Sequence, residues 1–232
     1  MVSLTAHGDE PGYFDREYFR LYPGKAAYVA ALAERVCARV PPGGAVLDLG
    51  AGFGFLLEAL RAAGLAARGL ERSPFAAAHG RRRGAVVVGD AERPLPFADG
   101  AFEAVTFCDV IEHVREPVAT LGECRRVLAP GGWLLVITLN AHSVARPLLG
   151  RSWAWHRDPT HLHMFSRRSL SRALRAAGFG PPRVSTVFNL LTVGESNPLL
   201  KPLRALPLLL SVPEGGDAIW AWARRPVESR AA

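Results

Sequence analysis

The sequence predicts a doubly wound α/β fold, in which helices cover both faces of a seven-stranded, mostly parallel sheet. Short apolar runs alternate along the chain with segments of helical spacing. Several runs end in glycine or an acidic residue, and the first leads into a glycine-rich turn and a helical pattern. The chain has 232 residues, the length of one α/β domain of ordinary size.

The composition is that of a globular protein and predicts no membrane span. Hydrophobic residues make up 49% of the chain and charged residues 21%. No apolar run approaches the length that a bilayer requires, and the first residues lack the pattern of a signal peptide. Cys37, Cys108 and Cys124 are odd in number and far apart, which favours a reducing cytoplasm over a disulfide framework or a zinc site.

The net charge of +7 is the one global feature that could indicate a nucleic-acid partner. The basic residues are scattered, and most are arginines in an alanine-rich chain. The densest cluster, at 81–83, closes a predicted helix, where cations suit the negative end of the helix dipole. We therefore expect no nucleic-acid partner.

The stretch 45–59, AVLDLGAGFGFLLEA, predicts a site for a nucleotide-like ligand. A short apolar strand is followed by three glycines at alternate positions and then by a helical pattern. Glycines allow a tight turn and close approach of a ligand, and a helix N-terminus offers unpaired N–H groups. The spacing is G-x-G-x-G rather than the G-x-G-x-x-G of dinucleotide sites. Asp48, at the strand's end, could accept a hydrogen bond or pair with an ammonium group.

The segment DLGAGFG resembles the first motif of class I S-adenosylmethionine (SAM)-dependent methyltransferases. The segments LPFADGAF, IEHV and RVLAPGGWL follow in order, and similar E-H-V segments occur in the quinone-biosynthesis type and its small-molecule relatives. The resemblance covers residues 46–179. It implies a Rossmann-like methyltransferase fold, SAM as cofactor, and a glycine loop that lies against the amino-acid part of the cofactor.

The first 42 residues predict a helical cap, with a helix from about Lys25 to Arg39 that covers one face of the sheet. An aromatic segment, residues 13–19, precedes that helix. In the family that the sequence resembles, N-terminal segments of this kind often cover the ligand crevice. Residues 43–138 would then form the cofactor-binding half and residues 139–232 the substrate-side half.

Acidic residues follow the second and third predicted strands. Glu71 ends the strand 67–70, where doubly wound folds place a carboxylate that accepts ribose hydroxyls; the alternative is an exposed glutamate without a ligand. In the resembled family an acid after the third strand contacts the adenine ring, and Asp90 fits that position. The complete set of expected cofactor-binding residues is Asp48, Gly50, Ala51, Gly52, Gly54, Glu71, Arg72, Asp90, Ala91, Glu92, Cys108 and His113.

Histidines supply the candidate catalytic residues. His113 follows the fourth strand, 103–109, and should face the crevice; the alternative is a structural histidine that bonds the adjacent loop. His161 and His163 lie in the long loop 139–166, where D-P-T-H-x-x-x-F-S recurs in a broad subgroup of the resembled family. An imidazole titrates near neutral pH and can act as a general base, although these histidines could simply tie the loop to the core.

The long loop also carries aromatic and polar residues suited to an acceptor pocket. The three histidines and one aspartate within residues 156–163 match no established metal-binding spacing, so no metal site is expected. The expected substrate-binding residues are Tyr13, Tyr18, Trp153, Trp155, His156 and Asp158.

The C-terminal part predicts two strands, 183–188 and 218–223, joined as an antiparallel pair. Between them lies an insertion, 190–216, with the apolar segment LLKPLRALPLLL. We expect this segment to form a helix over the pocket rather than to lie on a membrane surface.

The most favoured function is transfer of a methyl group from SAM to an oxygen or nitrogen of a small-molecule acceptor. Two alternatives stay open: an RNA methyltransferase, and a SAM-binding protein without catalysis. The sequence contains no N/D-P-P-Y/F tetrapeptide of amino-methylating nucleic-acid enzymes. A homodimer is also compatible with the sequence, because an apolar surface could equally be pocket or interface.

Overall fold

The computed structural model describes residues 20–144, 146–147, 160–189, 209–212 and 214–227. The expected substrate residues all lie outside these ranges, namely Tyr13, Tyr18, Trp153, Trp155, His156 and Asp158. The aromatic segment 13–19 and most of the insertion 190–216 also lie outside them.

The described chain alternates strands and helices in the predicted way. The strands are β1 (Ala45–Leu49), β2 (Ala66–Glu71), β3 (Ala85–Val88), β4 (Phe102–Cys108), β5 (Leu128–Leu139), β6 (Arg183–Asn189), β7 (Leu209–Val212) and β8 (Ala218–Arg224). The α-helices are α1 (Arg20–Cys37), α2 (Phe55–Ala62), α3 (Pro74–Gly80), α4 (Pro117–Val127) and α5 (Arg167–Ala176), and a short 3₁₀ helix spans Ile111–His113.

The strands form one sheet in the order β3-β2-β1-β4-β5-β8-β6-β7. Strands β3, β2, β1, β4 and β5 run parallel to one another, and β8 lies antiparallel between β5 and β6. The doubly wound, mostly parallel fold is therefore confirmed, as is the antiparallel pairing of the two C-terminal strands. Apolar side chains line both faces of β1, as expected for a parallel strand that is covered by helices.

The sheet has one strand more than the seven predicted. Residues 209–212, at the end of the apolar segment expected to be a helix, instead form β7 and pair antiparallel with β6. The helix expectation is wrong for these residues. The physical reason is that an apolar run of this length fits a strand or a buried helix equally well, and an unpaired strand edge was available on β6.

The segment RVLAPGGWL predicts a glycine turn at 129–132 and a strand at 133–138, but β5 begins at Leu128. Leu128 pairs with Phe102, and the register then shifts before Trp133 pairs with Ala104. Gly131 absorbs this irregularity with φ +80°. The segment read as a glycine turn is therefore the bulged start of a strand.

Helices cover both faces of the sheet. On one face, buried residues of α1 and α2, such as Val36 and Leu57, pack in one core cluster. On the other face, residues of α4 and α5, such as Leu121 and Leu170, pack in a second cluster. Helix α1 thus covers the sheet as predicted. Among the helices that the structure describes, none combines the length and apolar character needed to cross a bilayer.

The chain order places a crevice at the carboxyl ends of the strands. From β1 the chain proceeds to β2 and β3 on one side and then returns to β4 on the other. Ligands of open α/β sheets bind outside the strand ends at such a switch point. The segments that follow β1, β2, β3 and β4 all meet at this edge.

Candidate functional site

The glycine loop turns sharply between β1 and α2. The backbone N–H groups of Gly50 and Ala51 both donate to the carbonyl of Leu70, at 2.8 and 3.1 Å. Gly50 has φ +77°, and a Cβ atom there would meet Cγ2 of Val110 at 2.3 Å. Only glycine satisfies both the left-handed backbone and the close approach of the segment after β4.

The loop is also held from behind by α3. A Cβ atom on Gly80 would lie 2.9 Å from the carbonyl oxygen of Gly52, so the two backbones touch. Phe53 is fully buried, and its ring lies 5.2 Å from that of His79. Nη1 of Arg83 donates to the carbonyl oxygen of Phe53 at 3.2 Å. These contacts fix the position of the loop without a ligand.

Asp48 lies under the loop and is 4% exposed. Its parallel neighbour on β4 is Thr106, whose Oγ1 donates to Oδ1 of Asp48 at 2.6 Å. Burial raises the pKa of Asp48 to about 7, and the negative charge of Glu71 adds to that rise, while the bond from Thr106 opposes it. Asp48 is therefore a carboxyl group whose charge depends on pH near neutrality.

Glu71 ends β2 and bridges two loops. Its Oε2 accepts from the backbone N–H of Gly52 and its Oε1 from that of Ser73, both at 2.8 Å. The side chain is buried, and burial raises its pKa despite these two bonds. Each carboxylate oxygen can accept a further hydrogen bond, because two donors do not exhaust the lone pairs. The neighbouring Arg72 is exposed, and Ser73 caps α3.

The residues after β3 form a tight turn near Glu71. Oδ1 of Asp90 accepts from the backbone N–H of Glu92 at 2.9 Å. Oε1 of Glu92 accepts from the backbone N–H of Arg115, which joins the turn to the segment after β4. Ala91 is partly buried and packs against the core. The turn therefore presents a small side chain and a carboxylate at the crevice edge.

Cys108 is the last residue of β4 and is partly buried. Burial raises the pKa of its thiol well above the ordinary range, and the carboxylates of Asp48, Asp109 and Glu112 raise it further. The thiol is therefore neutral at physiological pH, which argues against a nucleophilic role.

Glu112 is a site residue to which the sequence analysis assigned no role. It is fully buried, and its Oε2 accepts from Oγ1 of Thr138 at 2.9 Å. Its carbonyl oxygen accepts from the N–H groups of Leu162 and His163, at 2.8 and 3.1 Å. Glu112 thus ties the end of the long loop to the segment after β4. The position of this acid next to the candidate histidine, in the segment I-E-H-V, was the signal that could have revealed it.

Two of the three candidate catalytic histidines, His113 and His161, contact each other at this junction. Nδ1 of His113 lies 3.2 Å from the carbonyl oxygen and 2.9 Å from the hydroxyl of Thr160. The rings of His113 and His161 are 4.7 Å apart. Nε2 of His163 lies 3.3 Å from the carbonyl oxygen of Arg115. The structure therefore brings His113 and His161 together, and it also shows the bond to the adjacent loop that a structural role for His113 requires.

The expected cofactor-binding residues all lie at the carboxyl edge of the sheet. They follow or end β1 through β4, although these strands are spread over more than sixty residues of the chain. The sequence did not single out Thr106, which bonds Asp48, Thr138, which bonds Glu112, or Val110, which contacts Gly50.

Residues 17–181 match the family described as "Methyltransferase domain". This match covers more than half of the chain. The protein belongs to the methyltransferase domain family. The matched range contains the glycine loop, the buried acids Asp48, Glu71 and Glu112, and all three candidate histidines.

The curated relatives of this methyltransferase domain protein include enzymes of ubiquinone biosynthesis. A ubiquinone biosynthesis O-methyltransferase from Chromobacterium violaceum is 31% identical over 151 residues, which covers 58% of this chain and 64% of the relative. The chain therefore spans slightly less than two thirds of the length of that relative.

Solved structures share the same methyltransferase fold. A SAM-dependent methyltransferase from Thermotoga maritima has a TM-score of 0.71 at 23% identity, covering 91% of this chain and 96% of that one. A phosphoethanolamine N-methyltransferase of Haemonchus contortus, solved with S-adenosylhomocysteine, has a TM-score of 0.69 at 16% identity, covering 97% of this chain and 61% of that one. At these identities the likeness shows the fold.

Proposed function

We propose that this protein transfers a methyl group from SAM to a hydroxyl oxygen of a small-molecule acceptor. One observation carries the proposal: the backbone N–H of Gly52 donates a hydrogen bond to the buried carboxylate of Glu71. The carboxylate that we expect to bind the ribose is therefore attached to the glycine loop. The methyltransferase family supports SAM as the ligand of the loop and the carboxylate. The names of the ubiquinone biosynthesis relatives favour oxygen over nitrogen as the methyl acceptor.

Each part of the cofactor has a chemically matched group in this proposal. Asp48 pairs with the ammonium group of the methionine moiety, and the loop of Gly50, Ala51, Gly52 and Gly54 lies against that moiety. Glu71 accepts hydrogen bonds from the ribose hydroxyls, next to Arg72. The turn of Asp90, Ala91 and Glu92 borders the adenine ring. Cys108 and His113, at the end of β4 and after it, are proposed to lie nearer the methyl group.

The reaction is a direct displacement. The acceptor oxygen forms a bond to the methyl carbon while the carbon–sulfur bond breaks, and the bonding electron pair stays on sulfur. The products are the methyl ether, S-adenosylhomocysteine and one proton. Because the sulfonium already activates the methyl group, the protein's main task is to align the oxygen and exclude water. In the simplest form of the proposal, His113, His161 or His163 takes the hydroxyl proton as a general base.

The division of the chain belongs to the same proposal. Residues 1–42 cap the sheet, residues 43–138 bind SAM, and residues 139–232, with the long loop 139–166, shape the acceptor pocket. Tyr13, Tyr18, Trp153, Trp155, His156 and Asp158 are proposed to line that pocket. The free cysteines support a cytoplasmic location, and a homodimer remains part of the proposal.

The experiment that tests the proposal measures S-adenosylhomocysteine formation with three acceptor panels: hydroxylated aromatic compounds, small amines and total RNA. Wild type, Glu71→Gln and Glu58→Gln are compared, because Glu58 is an exposed glutamate on α2. We expect turnover with a hydroxylated compound, lost in Glu71→Gln and kept in Glu58→Gln. Turnover with RNA alone would replace the small-molecule acceptor by nucleic acid, and SAM binding without turnover on any panel would favour a non-catalytic binding protein.

A further inference from the structure

A cluster of metal-ligating side chains lies beside the proposed cofactor crevice. Glu112, His113 and His161 each offer one ligand atom, and the three atoms lie within 4.8 Å of one another. Two of these residues follow β4, and the third comes from the end of the long loop. The fold therefore brings together two imidazoles and one carboxylate that the sequence separates by almost fifty positions.

Backbone contacts fix the two segments that carry these side chains. The N–H groups of Leu162 and His163 both donate to the carbonyl oxygen of Glu112. The N–H of His113 donates to the carbonyl oxygen of Val110 at 3.0 Å and closes the short 3₁₀ turn. Because both segments are held by main-chain bonds, the three side chains face each other in a preformed arrangement.

The outer contacts of two of the side chains match those of metal ligands. Oε2 of Glu112 accepts from Thr138, which orients the buried carboxylate. Nδ1 of His113 faces the carbonyl oxygen of Thr160 at 3.2 Å. The hydroxyl oxygen of Thr160 lies closer to Nδ1, at 2.9 Å, and can accept as well. A proton on Nδ1 that points toward these two oxygens would make Nε2 the ligand atom of His113. Such contacts to a carbonyl or carboxylate typically orient metal-binding histidines.

We propose that Glu112, His113 and His161 bind a divalent first-row transition-metal ion. Two imidazoles and one carboxylate are a ligand set that suits zinc and iron(II), and three protein ligands leave at least one position open. In a tetrahedral zinc site the ligand atoms lie roughly 3.4 Å apart, so small side-chain rotations close the present arrangement. The proposal departs from the expectation of a metal-free protein, because that expectation considered only the loop residues.

The role of the ion rests on the proposed methyl transfer. When bound, the ion would act as a Lewis acid at its open position and lower the pKa of the acceptor's hydroxyl group, whose proton would pass to solvent water. The oxygen then forms its bond to the methyl carbon as the carbon–sulfur bond breaks, with the electron pair left on sulfur. In this arrangement His113 and His161 hold the ion and do not act as bases.

The test uses tag-free protein stripped with a chelator and titrated with Co²⁺, followed by Zn²⁺ in competition. We expect one equivalent of Co²⁺ with visible absorption bands, displaced by Zn²⁺. His161→Ala and Glu112→Gln should each bind at least about tenfold more weakly, and Glu58→Gln, at an exposed position of α2, should bind as wild type does. Circular dichroism checks folding, and His161→Ala decides the question if Glu112→Gln does not fold.

Equal Co²⁺ affinity in wild type and folded His161→Ala would overturn the proposal, and so would the absence of binding to wild type. The cluster would then be a hydrogen-bonded tie between the long loop and β4. Calorimetry with SAM on the same stripped protein separates the two proposals. SAM binding without metal binding removes only the metal site, whereas absence of SAM binding in both stripped and metal-loaded protein removes the proposed function.

Discussion

Oγ1 of Thr106 donates a hydrogen bond of 2.6 Å to Oδ1 of Asp48 beneath the glycine loop. The pair arises from the parallel register of β1 and β4, which sets the two residues side by side on one face. The bond opposes the effect of burial, which raises the pKa of Asp48 to about 7. A carboxyl group with this pKa, placed to meet an ammonium group, makes cofactor binding depend on pH.

We predict that SAM affinity rises with pH up to about 7. A protonated Asp48 cannot pair with a cation, so binding must release a proton below its pKa, and affinity should change by about tenfold per pH unit there. Calorimetry between pH 5 and 8 measures this dependence. Thr106→Val should move the midpoint to higher pH, because it removes the bond that lowers the pKa of Asp48. An unchanged pH dependence in Asp48→Asn would show that another group titrates.

The same pKa predicts how the stability of the ligand-free protein varies with pH. The folded-state pKa of Asp48 lies above the value in an unfolded chain, about 3.9, so the folded state binds the proton more tightly. Its stabilising contribution is therefore full below pH 4 and is lost as pH rises through about 7. Urea unfolding of wild type and Asp48→Asn should show a smaller fall in the free energy of unfolding for the variant over this range.

Glu71→Gln should weaken SAM binding without unfolding the protein. The amide keeps one acceptor oxygen for Gly52 or Ser73 but cannot serve both N–H groups and a ribose. Loss of a hydrogen bond to a charged group costs about 1.5–3 kcal/mol, or roughly 10- to 150-fold in affinity. Glu58→Gln is the matched control, because Glu58 is an exposed glutamate on α2. Equal affinities for SAM in wild type and Glu71→Gln would remove Glu71 from the site.

Gly50→Ala should destabilise the protein more than Gly64→Ala. Both glycines have positive φ, at +77° and +84°, so both substitutions incur about 1–2 kcal/mol of backbone strain. At Gly64 the new methyl group meets nothing within 4 Å, whereas at Gly50 it would meet Cγ2 of Val110. Thermal unfolding measures the difference. Val110→Ala should recover part of the loss in Gly50→Ala and none in Gly64→Ala, and equal recovery would contradict the clash.

Arg126→Met should loosen the segment between β3 and β4. The guanidinium donates to the carbonyl oxygens of Leu95 and Phe97, and it bonds the carboxylates of Glu123 and Asp99. Because the side chain is partly exposed, we expect a loss of only about 2 kcal/mol in the free energy of unfolding. Arg168→Met, at an exposed position of α5, should change it by less than about 0.5 kcal/mol. Similar losses of stability in both variants would contradict the role of Arg126 in holding the segment between β3 and β4.

The predictable parts of the site are those with local signals. Apolar runs, alternating glycines and an acid at the end of a strand lie within a few residues of each other, so the glycine loop and the position of Glu71 follow from the sequence. The α/β alternation then fixes which strand ends meet. Helix α3, with Ser73 as cap and Pro74 in its first turn, was predictable for the same reason.

The parts that escaped prediction depend on register or on distant contacts. Thr106 lies 58 positions from Asp48, and only the pairing of β1 with β4 reveals it as a partner. Glu112 is one of three polar or charged residues in D-V-I-E-H-V, and its role becomes visible only where the long loop folds back onto its carbonyl group. Strand β7 has four residues in a proline-rich apolar segment, where hydrophobic periodicity cannot separate a strand from a helix.

The most direct test of the central claim is titration calorimetry of the purified, metal-stripped protein with SAM, S-adenosylhomocysteine and NAD. The glycine loop, Asp48 and Glu71 predict micromolar binding of the first two compounds and no binding of NAD. Binding of NAD alone would contradict the assignment of the glycine loop, and the proposed methyl transfer would fall with it.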